Sequence, residues 1–106
     1  MHSELGPGFL ETIYSSALAI EFETGGIAFE REKPVVVMYR GSPILGHRLD
    51  FVVAGAVVLE IKAVTRIEPI FRAKLISYLR ATKIRAGLLI NFNHLLVKDG
   101  IERWIV

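Results

Sequence analysis

Two strongly apolar stretches of the chain each carry charged side chains, and this placement limits how the chain can fold. The first stretch, residues 48–53, reads RLDFVV and contains Asp50. The second, residues 56–62, reads AVVLEIK and contains Glu60 and Lys62. Runs of this length that are rich in Val and Ile predict β-strands. A charged group inside such a strand is costly unless it is paired, binds a metal or reaches solvent, so these three side chains require partners.

The short connection between the two strands decides whether the acids meet. Side chains alternate along a strand, so Glu60 and Lys62 point to the same face of the sheet. A three-residue loop at residues 54–56 places Asp50 opposite Glu60, within about 5 Å, whereas a two-residue loop sends them to opposite faces. We predict the three-residue loop. Two carboxylates and a lysine grouped in this way suit metal-dependent phosphodiester hydrolysis; the alternative is that Lys62 only neutralises the acids at a strand end.

Composition excludes several classes of protein. The length predicts one domain, residues 1–106, and 52% hydrophobic residues are too many for a disordered chain. No uncharged apolar run approaches the ~18 residues of a membrane span, and no signal peptide is visible, so we expect no membrane partner. The absence of cysteine excludes disulfides and thiolate metal sites and fits a cytoplasmic location. A net charge of +2 is compatible with nucleic-acid binding without arguing for it.

Breakers and apolar periodicity predict a mixed α/β fold. A first helix over residues 9–23 follows a Gly-Pro-Gly breaker and carries Leu10 and Tyr14 on its core face. A second helix over residues 69–82 begins at a proline and buries Leu75, among others. Strands are expected over residues 27–32, 34–39, 44–53, 56–64, 87–93 and 101–106. The order α-β-β-β-α-β indicates a mixed central β-sheet flanked by two helices.

Three motifs together carry a family resemblance. Residues 8–14 read GFLETIY and fit the pattern GxxExxY, Asp50 and Glu60-Ile61-Lys62 fit D-x9-E-x-K, and residues 90–93 read INFN. The chain resembles the PD-(D/E)XK nuclease superfamily, and within it the family named for the motif GxxExxY. The resemblance covers nearly the whole chain and implies a restriction-endonuclease-like core. Family members commonly have a glutamine where this chain has Lys74.

The resemblance also implies a function and a set of site residues. It implies a nuclease that hydrolyses phosphodiester bonds in DNA or RNA with Mg²⁺ or Mn²⁺. Asp50, Glu60 and the backbone carbonyl of Ile61 would hold the metal, and Glu11 would add a third carboxylate. Lys62 would orient or deprotonate the attacking water. Crowding of like charges should raise the pKa of at least one acid. On the sequence alone, Glu11 also reads as a solvated acid favoured by the helix dipole.

Further side chains are candidates for contact with nucleic acid. Lys74 and Tyr78 are four residues apart and share a helix face, so Lys74 could bind a phosphate and Tyr78 could stack beside it. The alternative for Tyr78 is core packing with its hydroxyl at the rim. Arg48 shares strand parity with Asp50 and is expected to flank the same cleft. The histidines, including His47, show no metal-ligand spacing and are expected to be ordinary surface or rim residues.

Two expectations concern partners. A nuclease-like domain that binds nucleic acid or a protein without cutting remains the alternative function, because a fold does not fix a function. The intact set of acids and lysine favours an enzyme, whereas the short chain, with no separate element for gripping a target, favours the alternative. The high apolar content and exposed strand edges predict a homodimer, with the contact at the terminal strand near Trp104 or at the hairpin around Gly41.

Overall fold

The computed structural model describes residues 1–106 and is built around a five-stranded sheet in the order β1-β2-β3-β4-β5. The strands are β1 (Phe29–Tyr39), β2 (Ser42–Val53), β3 (Val57–Lys62), β4 (Ala86–Asn91) and β5 (Ile101–Ile105). The helices are α1 (His2–Leu5), α2 (Glu11–Thr24) and α3 (Pro69–Thr82), and Val97–Gly100 forms a 3-10 turn. Only β3 and β4 run parallel. The predicted mixed α/β order is confirmed, and no helix is long and apolar enough to span a membrane.

Helices α2 and α3 cover opposite faces of the sheet. Adjacent residues of a strand point to opposite faces. On β3, Val58 packs in a cluster with Leu75 and Leu79 of α3, whereas Leu59 packs in a second cluster with Tyr14 of α2. Strands β3 and β4 are therefore covered on both sides, which is why their sequences are apolar almost throughout.

The predicted core face of α3 is confirmed, and that of α2 is wrong at one residue. Leu75 and Leu79 are fully buried, as is Tyr14. Leu10, however, is 76% exposed. It is the residue before α2 and has an extended backbone, so helical periodicity does not apply to its side chain.

Strand β1 is continuous where the sequence predicts two strands. The strand begins at Phe29, two residues later than predicted, and joins the two predicted segments through Glu32, whose φ of 54° lies in the left-handed region. At the tip of the β1–β2 hairpin, Arg40 and Gly41 both have positive φ, as a tight two-residue hairpin turn requires. The result is one long hairpin that bends where Glu32 faces β2.

The side chains of β2 change face at Asp50. The pairing of β1 with β2 omits the step between Glu32 and Asp50. Leu49 and Phe51 are two residues apart, yet Leu49 packs in the α3 cluster and Phe51 packs in the α2 cluster. Regular alternation would put them on the same face, so the bend reverses the alternation along β2.

Tyr14 stabilises the glycine-rich loop that precedes α2 through two hydrogen bonds. Its ring is fully buried, and its hydroxyl donates to the carbonyl of Gly6 while accepting from the N–H of Phe9 at 3.2 Å. Gly8 has a φ of 105°, a conformation that a side chain would strain. The glycine and the tyrosine of the GxxExxY motif thus fix the loop, and with it the first turn of α2 that carries Glu11.

Replacing Tyr14 with phenylalanine should therefore destabilise the fold. The change leaves the Gly6 carbonyl and the Phe9 N–H without their partner, at a cost of about 1–2 kcal/mol in the free energy of unfolding. Urea denaturation would measure it. Tyr39→Phe is the matched control, because Tyr39 is 60% exposed on the hairpin. Equal stability of the two variants would contradict the proposed role of the Tyr14 hydroxyl.

Candidate active site

The turn between β2 and β3 sets the register of the two acids. Residues 54–56 join the strands, and pairing runs from Val53 with Val57 to Phe51 with Leu59. One further step along the same register brings Asp50 opposite Glu60. The three-residue connection predicted from the sequence is therefore present.

Asp50 and Glu60 each accept a hydrogen bond from the opposing strand, just beyond the last paired residues of β2 and β3. The carboxylate of Glu60 accepts from the N–H of Asp50 at 3.4 Å through Oε1. The carboxylate of Asp50 accepts from the N–H of Ile61 at 2.7 Å through Oδ2. Each acid thus caps a backbone donor of the other strand, which fixes both side chains at the point where β2 and β3 separate.

Burial and the neighbouring charge of Asp50 strongly raise the pKa of Glu60. The side chain is buried, and its pKa is raised from 4.5 to about 8, first by burial and then by the charge of Asp50. The hydrogen bond from Asp50 and the charge of Lys62 offset part of this rise. The expected rise in the pKa of at least one acid is confirmed. In the absence of metal, Glu60 is largely protonated at neutral pH.

Lys62 lies beside the acids without forming an ion pair. Its Nζ is 4.5 Å from the centroid of the Phe71 ring, a cation–π contact. The salt bridges of the structure all lie elsewhere, so no carboxylate is within 4.0 Å of this ammonium group. Lys62 therefore pairs with neither acid, although its charge lowers the pKa of Glu60 in part.

Asn91 of the INFN segment fixes the chain that follows Lys62. Its fully buried side chain donates to the carbonyl of Val64 at 2.9 Å and accepts from the N–H groups of Val64 and Asn93 at 3.1 and 3.2 Å. The N–H of Phe92 also donates to the carbonyl of Lys62 at 2.9 Å. The end of β3, where Lys62 sits, is thereby held against β4.

A cavity of about 70 Å³ lies between α3 and the sheet. It is lined by His47, Glu60, Lys62, Phe71, Lys74, Leu75, Tyr78 and Leu89. Four of the predicted site residues therefore face one space: an acid, two lysines and a tyrosine. Neither Lys62 nor Lys74 is in an ion pair. The cavity has room for several water molecules beside a polar wall.

The structure brings the acids together only as a pair. Glu11 is exposed in the first turn of α2 and does not line the cavity. No group of three or more His, Asp or Glu side chains is close enough to hold a metal ion. The expected convergence of Glu11 with Asp50 and Glu60 is therefore not seen.

The pair itself fits a divalent metal. Oδ1 of Asp50 and Oε2 of Glu60 accept no backbone N–H, and the two side chains also share a hydrogen bond that raises the pKa of Glu60 further. Every buried side-chain polar atom has a partner, so these two oxygens face accessible space. Hard oxygen ligands of this kind suit Mg²⁺ or Mn²⁺ with several retained waters. The Ile61 side chain is buried on the α2 face, so only its backbone could contribute.

His47 is the cavity residue that sequence reasoning missed. The expectation that Arg48 shares the face of Asp50 assumes regular alternation, which fails because β2 reverses at Asp50. His47 lines the cavity instead, and Arg48 lines an open groove next to it. The pKa of His47 is lowered, mainly by burial. No residue pattern in β2 signals this change of face.

Tyr78 is held between the core and His47. Its ring stacks on the His47 imidazole, with centroids 4.1 Å apart and planes at 14°. Burial raises the pKa of its hydroxyl, helped by the charges of Glu60 and Asp50. The ring also packs against the α3 cluster, which agrees with the core-packing alternative.

The pKa of Glu60 predicts a pH dependence of stability in the metal-free protein. Because the folded-state pKa lies above the unfolded value, the neutral acid stabilises the fold. That contribution is complete below pH 4.5 and is lost as pH rises through about 8. In EDTA, the free energy of unfolding should fall relative to Glu60→Gln by up to about 1.4 kcal/mol per pH unit.

The matched variant for this measurement is Asp50→Asn. An amide oxygen can still accept from the Ile61 N–H, while the repulsion on Glu60 disappears, so this variant should be more stable than wild type at about pH 8. Urea denaturation across the pH range would provide all three curves. Parallel curves for wild type and Glu60→Gln, or a clearly less stable Asp50→Asn, would contradict the electrostatic account.

Comparison with known proteins agrees with this geometry. A family model described as the PD-(D/E)XK nuclease superfamily matches residues 1–104. No curated protein and no solved structure matches the chain significantly. The five-stranded mixed sheet between helices is consistent with a restriction-endonuclease-like fold. With almost its whole length matched, this chain belongs to the PD-(D/E)XK nuclease superfamily.

Proposed function

We propose that the chain is a metal-dependent nuclease of the GxxExxY family that hydrolyses phosphodiester bonds in DNA, with RNA as the other candidate substrate, in the cytoplasm. The observation that carries the proposal is the fixed pair of Asp50 and Glu60, of which Glu60 is buried with a strongly raised pKa. Holding the two acids side by side, with Glu60 at the cavity wall, keeps a proton on Glu60 at neutral pH, and a divalent cation would compensate the cost of ionising it.

The metal-binding roles follow from which oxygens are free. Asp50, Glu60 and the backbone carbonyl of Ile61 would hold Mg²⁺ or Mn²⁺, and Glu11 would add a further carboxylate. When bound, the metal supplies Lewis-acid chemistry, polarising the phosphate and increasing the acidity of water. To act as a ligand, Glu60 would have to lose the proton that it retains in the metal-free protein.

The cations of the site have separate tasks. Lys62 has no ion-pair partner, and its position over Phe71 directs the ammonium group toward the cavity wall shared with Glu60. As an ammonium group it would orient the attacking water and stabilise developing negative charge; to take the proton of that water it would have to be the neutral amine. Lys74 in the cavity and Arg48 in the adjacent groove would bind phosphates on either side.

One observation favours the alternative of a nuclease-like domain that binds nucleic acid or a protein without cutting. The metal-free structure gathers two carboxylates, and Glu11 remains apart in solvent. A site with two protein carboxylates binds a divalent ion weakly unless substrate phosphates complete the coordination. Measurement of metal binding and of cleavage in the same protein separates the two functions.

Cleavage of single- and double-stranded DNA and RNA should require Mg²⁺ or Mn²⁺. Asp50→Ala should abolish both cleavage and the Mn²⁺ binding seen by calorimetry, because it removes one of the two fixed ligands. Lys62→Ala should retain Mn²⁺ binding and lower the cleavage rate by at least about 100-fold, as expected for loss of a proton-transfer group. Glu11→Gln tests whether Glu11, which lies outside the cavity in the metal-free protein, joins the site: weaker Mn²⁺ binding would show that it does, and unchanged binding that it does not.

Arg103→Ala on β5 is the control for Lys62→Ala, since Arg103 is exposed and its replacement also removes one positive charge. It should cleave and bind Mn²⁺ as wild type does. Two results would contradict the nuclease proposal: no Mn²⁺ binding by wild type in the presence of an oligonucleotide, or equal cleavage by Asp50→Ala. The first result would favour a nuclease-like domain that binds without cutting.

We also propose that two copies associate through the β1–β2 hairpin. Of the two expected contacts, Trp104 is half-buried against the α3 cluster, and its indole N–H donates to Glu102 at 3.2 Å. The hairpin, in contrast, carries large apolar side chains that are each at least 46% exposed: Val36, Val37, Met38, Tyr39, Ile44 and Leu45. Consecutive residues of β1 point to opposite faces, so the hairpin is apolar on both sides.

Light scattering at micromolar concentration should therefore give twice the 11.8 kDa mass of one chain. The double change Val37→Lys with Met38→Lys should produce a monomer, because it puts charge on both faces of the hairpin. Leu95→Lys is the control, since Leu95 is 85% exposed outside the hairpin. A monomeric wild-type protein would contradict the proposed dimer and would not affect the catalytic proposal.

A further inference from the structure

His47 presents a flat aromatic surface at the boundary of the cavity. Its imidazole comes from β2 and lies against the Tyr78 ring of α3, nearly parallel at 4.1 Å. His47 is itself exposed, although one face of its ring is covered by Tyr78. It is the residue shared by the cavity that holds Glu60 and the neighbouring open groove.

We propose that the free face of His47 is a stacking platform for one unpaired nucleobase, so that the substrate is a single-stranded or frayed nucleic acid. This inference rests on the proposed nuclease function and specifies its substrate class. Bases stack on aromatic side chains, including histidine, when they are released from their neighbours. Tyr78 backs the imidazole and keeps it flat against the helix.

Tyr78 cannot take this role itself. Its ring is half-buried in the α3 cluster, and His47 covers the remaining accessible face. The sequence suggested a stacking role for Tyr78, and the proposal assigns that role to His47, which covers the Tyr78 ring. Tyr78 is a positioning residue, because it acts on a bound base only through the imidazole.

Charges around His47 agree with a strand passing over it. Lys62 and Lys74 line the cavity on one side, and Arg48 lines the groove on the other. None of these cations is in an ion pair within the protein. A base on His47 would thus have cations available for the phosphates at both of its ends, one of which faces the Glu60 side of the cavity.

The geometry favours an unpaired base over an intact duplex. In a duplex both faces of each base are covered by its neighbours, so a side-chain stack requires the base to leave the helix. A single exposed ring offers no hydrogen-bond pattern of its own that reads base identity. The platform should therefore accept different bases and discriminate mainly between stacked and unstacked ones.

Fluorescence anisotropy in EDTA tests this without cleavage. Three labelled probes are compared: a single-stranded deoxyoligonucleotide, the same strand annealed to its complement, and an abasic strand of equal length. Wild type should bind the single strand most tightly. His47→Ala should lose about tenfold in affinity for it, as expected from removing one base stack. The abasic strand should bind both proteins equally.

Two variants separate stacking from other effects. His47→Phe keeps an aromatic face without the imidazole nitrogens and should retain affinity for the single strand. His94→Ala removes a histidine from outside the cavity and should bind as wild type. Near-ultraviolet circular dichroism would confirm that His47→Ala remains folded.

The outcomes distinguish this inference from the proposed function. Unchanged affinity of His47→Ala for the single strand, an equal loss for the abasic strand, or tighter wild-type binding to the duplex would overturn the platform while leaving the nuclease intact. If the wild-type chain bound none of the three probes, both the platform and the nuclease proposal would fail.

Discussion

The site depends on two hydrogen bonds, in which Asp50 and Glu60 each accept a backbone N–H from the strand of the other. Each carboxylate accepts a backbone N–H of the opposing strand, at 3.4 and 2.7 Å, where the β2–β3 ladder stops. The same contacts that satisfy the strand ends therefore hold two repelling acids together. Burial of Glu60 raises its pKa to about 8, and the charge of Asp50 adds to the rise. The fold thus maintains a site whose electrostatics favour a divalent cation.

Other contacts fix the backbone around this pair and on the opposite face of the sheet. Asn91 fixes the backbone after Lys62, and Phe71 supports the Lys62 ammonium from α3. On the other face, Tyr14 fixes the loop that starts α2. Some residues of the sequence motifs thus hold the backbone in place. The glycine and tyrosine of GxxExxY and the first asparagine of INFN belong to the scaffold.

Periodicity in the sequence predicted most of the fold and the relative positions of Asp50, Glu60 and Lys62. The odd loop placed Asp50 opposite Glu60, and strand alternation placed Lys62 on the same face, because β3 is regular. Alternation failed in β2, where the left-handed Glu32 lies beside Asp50 and reverses the faces. Glutamate gives no signal for that backbone conformation, so His47 was missed. The position of a helix relative to the sheet is likewise set by packing. Glu11 was expected at the site from the family resemblance, whereas its sequence context favoured the solvated position that the structure shows.

The central claim is that Asp50 and Glu60 bind one metal ion between their free oxygens. A crystal structure of the chain with Mn²⁺ and an oligonucleotide, with anomalous scattering recorded, tests it most directly. The account predicts an anomalous peak about 2.1 Å from both Oδ1 of Asp50 and Oε2 of Glu60. The same map would show whether Glu11 joins the site. A Mn²⁺ peak elsewhere in the molecule, with these two oxygens binding only water, would contradict the account.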